Sequence, residues 1–355
     1  MNDESVSTTS VTKIDARASL PGEIEITIGD DRITPESPDR YTLKVEVGRG
    51  GIGRVFAAFD EHIGREIAIK ELLCDACDER SADKEENALS PAAKESFKAR
   101  FLREARVTGR LEHPAIVPVY EIGRRANGAC YYTMRYIKGQ TLLRAIRKRE
   151  SLPERLKLLP HFHDLCNAIA YAHSKGVIHR DIKPDNVMIG EFGETVVLDW
   201  GLAKLKGGPD SAAVAGISPF TPNDSAADAT VEGRLLGTPV YMPPEQARGE
   251  ISEVDEKSDI YSLGAVLYEL LTGQTPHTGR VISDVLAKVQ SDPVVPADQR
   301  DKQIPHELSA IAEKALNKKK ERRYGTALQL AADIESYMAG NRVGAYRYAW
   351  WELYH

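Results

Sequence analysis

Val177-Ile-His-Arg-Asp-Ile-Lys-Pro-Asp-Asn-Val-Met188 is the stretch on which the reading of this chain turns. Upstream, Leu156 to Ser174 carries apolar residues at helical spacing, and downstream Val187 to Ile189 reads as a short strand. His179, Arg180, Asp181, Lys183 and Asn186 therefore share a loop between a helix and a strand, within eight positions. Asp181 can accept a hydroxyl proton, Lys183 can neutralise phosphate, and the carbonyl of Asn186 can ligate a hard cation such as Mg²⁺. Thirteen residues after Asn186, Val196-Val-Leu-Asp-Trp-Gly201 puts Asp199 at the end of an apolar strand, where its carboxylate can chelate the same cation. A plain solvated loop does not need this combination.

Working outward toward the N-terminus, Gly48-Arg-Gly-Gly-Ile-Gly-Arg-Val55 is glycine-rich. A dinucleotide-binding turn would be followed by a helix, but Arg54 to Asp60 alternates like a strand. A glycine turn between two strands can lie as a flap over phosphates, because backbone N–H groups approach closely where side chains are missing. A plain flexible hairpin remains open at this point. Ile67-Ala-Ile-Lys70 then places a lysine among apolar strand neighbours. It either snorkels from an edge or is held by a carboxylate, for which Glu104 in Phe101-Leu-Arg-Glu-Ala105 is the candidate.

The order of elements implies two unlike lobes. Strands are expected at Tyr41–Val47, 54–60, 65–72, 116–122 and 129–135, with one helix over Lys98–Leu111; after Lys138-Gly139 the pattern turns mostly helical. Residues 1–39 are rich in Ser, Thr, Asp, Glu and Pro and read as a disordered acidic tail. Residues 1–40 hold nine acids and four bases, so most of the net charge of −6 sits there and the remainder is nearly neutral. That balance argues against nucleic acid as a partner. No run approaches the roughly 18 apolar residues of a membrane span, and the start MNDESVSTTS shows no secretory leader. Cys74 and Cys77 have metal-knuckle spacing but no second pair, and read as ordinary thiols.

Taken together, these motifs resemble those of a eukaryotic-like Ser/Thr protein kinase of bacterial type. The resemblance runs over about residues 41–338. It includes the glycine loop, Ala68-Ile-Lys70, Glu104, His179 to Asn186 and Asp199-Trp-Gly201. It continues through Gly237-Thr-Pro-Val-Tyr-Met-Pro-Pro-Glu245, Asp259-Ile-Tyr-Ser-Leu-Gly264 and Arg323-Tyr324. The resemblance implies an α+β, bilobal protein-kinase-like fold: a small antiparallel N-lobe over about 41–136 and a helical C-lobe over about 137–338, followed by an aromatic extension, 339–355. ATP and Mg²⁺ (or Mn²⁺) would bind between the lobes. Val47, Gly48, Gly50, Gly51, Gly53 and Val55 would cover the nucleotide. Val55, Ala68 and Met188 would sandwich adenine. Met134 would be the gatekeeper, and Arg135 and Ile137 would offer hinge backbone groups. Lys70 would bind the α/β-phosphates and pair with Glu104. Asp181 would deprotonate the substrate hydroxyl, Lys183 would meet the γ-phosphate, and Asn186 and Asp199 would hold the metal. Glu245 would pair with Arg323, and Asp259 would brace the catalytic loop. The implied partners are protein substrates presenting Ser or Thr, with a transient homodimer for autophosphorylation and a cytoplasmic location. A pseudokinase scaffold and a small-molecule phosphotransferase of related fold are the alternatives.

Several residues depart from the family's pattern or stand outside it. Trp200 replaces the usual Phe and is expected to stack between His179 and the helix near Thr108. Thr230, then Ser225 and Thr221, are the expected phosphorylation sites, and Thr238 is expected to bond Asp181 and Lys183. His161, His163 and His173 read as ordinary helix residues. Lys318 to Lys320 reads as a solvated face. Tyr346, Tyr348, Trp350, Trp351 and Tyr354 either pack back on the helical lobe or mark the approach to a membrane segment.

Overall fold

The structure, a computed structural model, describes residues 33–50, 53–73, 91–205 and 239–349. The expectations placed on Gly51, Cys74, Cys77, Thr221, Ser225, Thr230, Thr238, Trp350, Trp351 and Tyr354 lie outside them. Alternating segments build one sheet from β1 (Thr34–Pro35), β2 (Tyr41–Arg49), β3 (Gly53–Asp60), β4 (Arg65–Leu72), β5 (Val119–Arg124) and β6 (Cys130–Arg135), in the order β1-β5-β6-β4-β3-β2. Strand β4 is central, and Ile67, Ala68 and Ile69 are buried on both faces. Helix α1 (Pro91–Gly109) covers the sheet, closing Phe101, Leu102 and Ala105 against Leu72, Cys130 and Tyr132.

The first correction falls at the chain's N-terminal side, where residues 33–39 belong to the ordered fold. Thr34 and Pro35 pair in parallel with Gly123 and Arg124, Ile33 packs on the core beneath α1, and Arg125 holds Glu36 at 2.5 Å. Strand β5 is otherwise an edge, and a short strand satisfies its exposed backbone groups. Proline is tolerated there because an edge strand need not donate on both sides. The sheet is consequently mixed rather than purely antiparallel.

The helical lobe comprises α2 (Leu142–Arg147), α3 (Leu152–Leu156), α4 (Leu159–Ser174), α5 (Pro244–Ala247), α6 (Glu256–Thr272), α7 (Ile282–Ser291), α8 (Ala297–Arg300), α9 (His306–Ala315) and α10 (Ala327–Met338). The helix expected over 156–174 is α4, which starts three residues later at Leu159 with Pro160 in its first turn, where a missing N–H costs nothing; the short α3, with Pro153 in its own first turn, precedes it. Helix α6 is apolar around its circumference and buried from Ser258 to Leu271, so the other helices pack around it. A capping box between Asp255 and Ser258 starts it, and Gly273, at φ 72°, ends it.

Small ladders lie in the second lobe, and an isolated bridge between Ile116 and Val197 joins the first of them to the segment preceding β5. Strands β7 (Gly139–Thr141), β9 (Val187–Gly190) and β10 (Thr195–Val197) form one, and β8 (Val177–Ile178) pairs with β11 (Lys204–Leu205). The result is the expected bilobal α+β architecture. Among the described residues, no helix is long and apolar enough to cross a membrane.

Two surface expectations resolve here. Lys318 is no solvated residue: its ammonium donates to the Lys288 and Val289 carbonyls at the end of α7, and Lys320 reaches Asp255 at 2.7 Å. Carbonyls at a helix C-terminus lack internal partners and attract cations. Tyr346 packs back on the lobe, stacked on His306 and edge-on to Tyr348.

Candidate active site

The loop from His179 to Asn186 is held from below. Asp259, in the first turn of α6, is 1% exposed and accepts the backbone N–H groups of His179 (2.8 Å) and Arg180 (2.9 Å). His173 Nε2 lies 2.8 Å from the same carboxylate. Burial would raise the Asp259 pKa, but His173 and the N–H donors overcome it and hold the carboxyl below its ordinary value. With this brace Arg180 keeps a left-handed backbone, φ 69°, a conformation that costs a non-glycine residue energy and persists where the surroundings enforce it.

On this loop Lys183 Nζ donates to Asp181 Oδ2 at 2.8 Å, and Asn186 Nδ2 donates to the Asp181 carbonyl (2.9 Å) and carboxylate (3.3 Å). Burial dominates at Asp181 and raises its pKa despite Lys183, which suits a proton acceptor. The hairpin β9–β10 pairs Val187 with Val197, and Leu198 N–H bonds the Asn186 carbonyl at 2.7 Å. The thirteen-residue spacing thus closes a ladder that sets Asp199 beside Asn186. Asp199, also left-handed at φ 54°, has a side chain 47% exposed toward the cleft. The cleft walls push its pKa up, but Lys70 and Lys183 outweigh them and leave it lowered.

This donor set fits a hard divalent cation. The amide nitrogen of Asn186 is committed to Asp181, which turns its carbonyl oxygen the other way, and Asp199 adds an ionised carboxylate. Among the described residues no three His, Cys, Asp or Glu side chains form a metal cage. Two oxygen donors suit a cation whose remaining ligands are water and substrate phosphates.

The N-lobe contributes an ion pair. Lys70 Nζ lies 2.5 Å from Glu104 Oε1 and 3.9 Å from Asp199 Oδ1. Burial disfavours the charged lysine, but Glu104 and Asp199 prevail and raise its pKa. Arg100, one turn earlier on α1, donates to the Gly201 carbonyl at 3.2 Å, joining the helix to the Asp199 turn. Trp200 is buried, with its ring centroid 4.5 Å from that of His179 and tilted by 50° to it, which is the His179 half of the expected contact.

Above the cleft, Gly50 N–H closes the glycine turn onto the Gly53 carbonyl at 2.8 Å. A Cβ on Gly53 would come within 2.9 Å of the Glu71 carbonyl, so no side chain fits there. Gly48 pairs with Val55, Val47 is exposed beside them, and Ala68 pairs with Met134. Met134, Ile137 and Met188 meet in one apolar cluster with Val117, Val196 and Leu198, forming the cleft floor. The Arg135 N–H is taken by the Pro118 carbonyl at 3.2 Å, so Arg135 could meet an adenine edge only through its carbonyl. Farther off, Arg323 grips Glu245 through two bonds of 2.8 and 2.9 Å.

A two-lobed fold with this constellation between the lobes is that of a protein kinase, and the chain matches the protein kinase domain family over residues 41–334. It belongs to that family. Serine/threonine-protein kinase PknD of Protochlamydia amoebophila (strain UWE25) is 37% identical over 323 residues, covering 86% of this chain and 30% of that protein. The protein of the same name in Chlamydia felis (strain Fe/C-56) is 36% identical over 313 residues, covering 85% and 31%. That of Chlamydia trachomatis serovar D (strain ATCC VR-885 / DSM 19411 / UW-3/Cx) is 37% identical over 325 residues, covering 85% and 32%. The chain therefore spans just under a third of the length of these curated relatives.

Residues that sequence reasoning missed are Tyr132, whose hydroxyl donates to Glu104 at 2.7 Å, His173 behind Asp259, and Arg100. For His173 a signal existed, since it lies on the helix that feeds the loop. For Tyr132 the signal was only a polar tip on a central strand.

Proposed function

We propose that this chain transfers the γ-phosphoryl group of ATP to Ser or Thr hydroxyls of proteins. The observation that carries the proposal is the convergence of Asp181, Lys183, Asn186 and Asp199 on one cleft wall, facing an already formed Lys70–Glu104 pair. The kinase domain uses ATP and a divalent cation, and the names of the curated relatives support Ser/Thr as acceptor. The substrate oxygen bonds the γ-phosphorus, the bond from that phosphorus to the β,γ-bridging oxygen breaks, and ADP leaves. The hydroxyl proton passes to Asp181. Lys183 offsets charge on the transferred group and Lys70 holds the α/β-phosphates. Asn186 and Asp199 would hold Mg²⁺, or Mn²⁺ in its place, which neutralises phosphate charge when bound. This chemistry depends on positioning and electrostatics, which fixed side chains supply. The reaction is placed in the cytoplasm, where ATP is plentiful. Autophosphorylation between two transiently paired copies belongs to the same reading, with Thr230 as the first acceptor.

Asp181→Asn provides the test. It should bind ATP–Mg²⁺ like the wild type yet transfer ³²P at least about 10²-fold more slowly. Undiminished transfer would overturn the role of Asp181, and no transfer by the wild-type protein to itself or a generic substrate would overturn the reaction. Mass spectrometry after incubation with ATP–Mg²⁺ tests Thr230, and absence of phosphate on residues 204–236 would remove autophosphorylation there.

A further inference from the structure

We infer that Tyr132 is a positioning residue for phosphoryl transfer: its hydroxyl, presented from the sheet, holds the Glu104 carboxylate onto Lys70 and keeps α1 inward before ATP enters. The inference rests on the phosphoryl-transfer reading above and adds a residue to it. Strand register is its first support. Lys70 and Tyr132 are direct partners across β4 and β6, so their side chains rise on the same face. Both end on one atom, Glu104 Oε1, the ammonium at 2.5 Å and the phenol at 2.7 Å.

The second support is how little else holds that carboxylate. Glu104 Oε2 is buried with no hydrogen-bond partner among the described residues. Among the described residues, the bond from Tyr132 is, apart from Lys70, the only side-chain hydrogen bond to the Glu104 carboxylate. Thirdly, the Tyr132 ring meets Phe101 at 5.2 Å between centroids. Phe101 and Glu104 are three residues apart, hence on the same face of α1, and one aromatic side chain grips both.

Packing alone does not call for this residue. Phenylalanine would fill the space, whereas a phenol that is 4% exposed loses its hydration unless it is bonded. Donation to a carboxylate also favours the ionised form, which is the form Lys70 requires. Burial and Glu104 push the phenol pKa well above its ordinary value, so it remains a donor.

The conservative variant Tyr132→Phe keeps the ring and removes the donor. With the paired state less populated in the free protein, apparent ATP affinity falls by that fraction, while bound ATP restores the arrangement. The KM for ATP should rise about 10-fold, as expected for one hydrogen bond to a charged group, with kcat within about two-fold. The melting temperature should stay within about 3 °C of wild type. In a Glu104→Gln background the same change should move KM less than about two-fold, because coupled residues are not additive. Equilibrium binding of ATP–Mg²⁺ needs no transfer and should weaken by the same factor of about 10. An unchanged KM and unchanged ATP affinity in Tyr132→Phe would overturn the inference, as would a 10-fold effect that persists in Glu104→Gln. A wild-type protein that binds ATP without transferring phosphate would instead overturn the function proposed above, and the binding measurement would still judge whether Tyr132 holds Glu104.

Discussion

The two lobes each carry a buried ion pair, and the pairs are built differently. In the helical lobe, Arg323 meets both oxygens of Glu245, and Ser258 donates to the same carboxylate at 2.6 Å. Arg323 also reaches the carbonyls of Asn317 (2.8 Å) and Lys257 (2.9 Å), and its side chain is 0% exposed. In the sheet lobe, Lys70 meets Glu104 through one oxygen, the second oxygen has no hydrogen-bond partner among the described residues, and the lysine side chain is 14% exposed at the cleft. A planar guanidinium on a carboxylate gives a geometry with a single solution. An ammonium is a point charge that can turn from Glu104 toward Asp199, 3.9 Å away, or toward a phosphate. The first pair is a strut, and the second is a contact made to be remade.

The largest expected effect lies on the strut. Arg323→Met leaves Glu245 buried without its countercharge and should cost about 3–5 kcal/mol. That corresponds to a loss of roughly 6–10 °C in melting temperature, read by calorimetry. Glu104→Gln should behave oppositely: less than about 1 kcal/mol of stability, but a roughly 10²-fold loss of transfer from a displaced Lys70. If both variants melted alike, the distinction between strut and movable contact would fail.

Acid separates the pairs next. Burial pushes the Glu245 pKa up, but Arg323 and Ser258 prevail and hold it below the ordinary 4.5. A depressed carboxylate contributes stability that is present above its unfolded pKa and lost only as pH falls through the lower folded value. At Glu104 burial wins over Lys70, and the folded pKa stands above 4.5. Its proton is taken up in the native state before the unfolded chain would take one, so acid breaks the Lys70 pair without unfolding the protein. The raised Asp181 adds to the same acid limb of activity. Transfer should therefore decline at a higher pH than tryptophan fluorescence reports unfolding. Coincident transitions would contradict the assignment.

What was legible in the sequence follows the same division. Asp181, Asn186 and Asp199 could be read directly because a short hairpin, with Val187 opposite Val197, converts spacing into proximity. Lys70 and Glu104 were legible as a candidate pair, but the residues alone left a snorkelling lysine equally open, since the two lie on different elements 34 residues apart. Tyr132 was not legible, because its partner is chosen by the β4–β6 register rather than by its neighbours in sequence. Lys318 looked solvated inside a basic run, yet the unpaired carbonyls at the end of α7 draw it in. Strand β1 has only two residues, too few for any period to show.

That short strand carries the smallest predicted effect. Ile33 is half-buried against the cluster that includes Phe101, Leu102 and Tyr132. Its other holds are the two-residue pairing with β5 and the Glu36–Arg125 pair, whose side chains are 15% and 13% exposed. A part-exposed pair contributes little, of order 1 kcal/mol or less. Ile33→Ala should therefore cost about 1 kcal/mol, near 2 °C in melting temperature. Because the cluster Ile33 touches also seats the helix bearing Glu104, the KM for ATP should rise by no more than about two-fold. A loss as large as that of Arg323→Met would mean that the sheet lobe, too, is braced by a rigid strut. A KM shift without a melting shift would mean that the segment preceding β2 acts on the position of α1 rather than on the stability of the sheet.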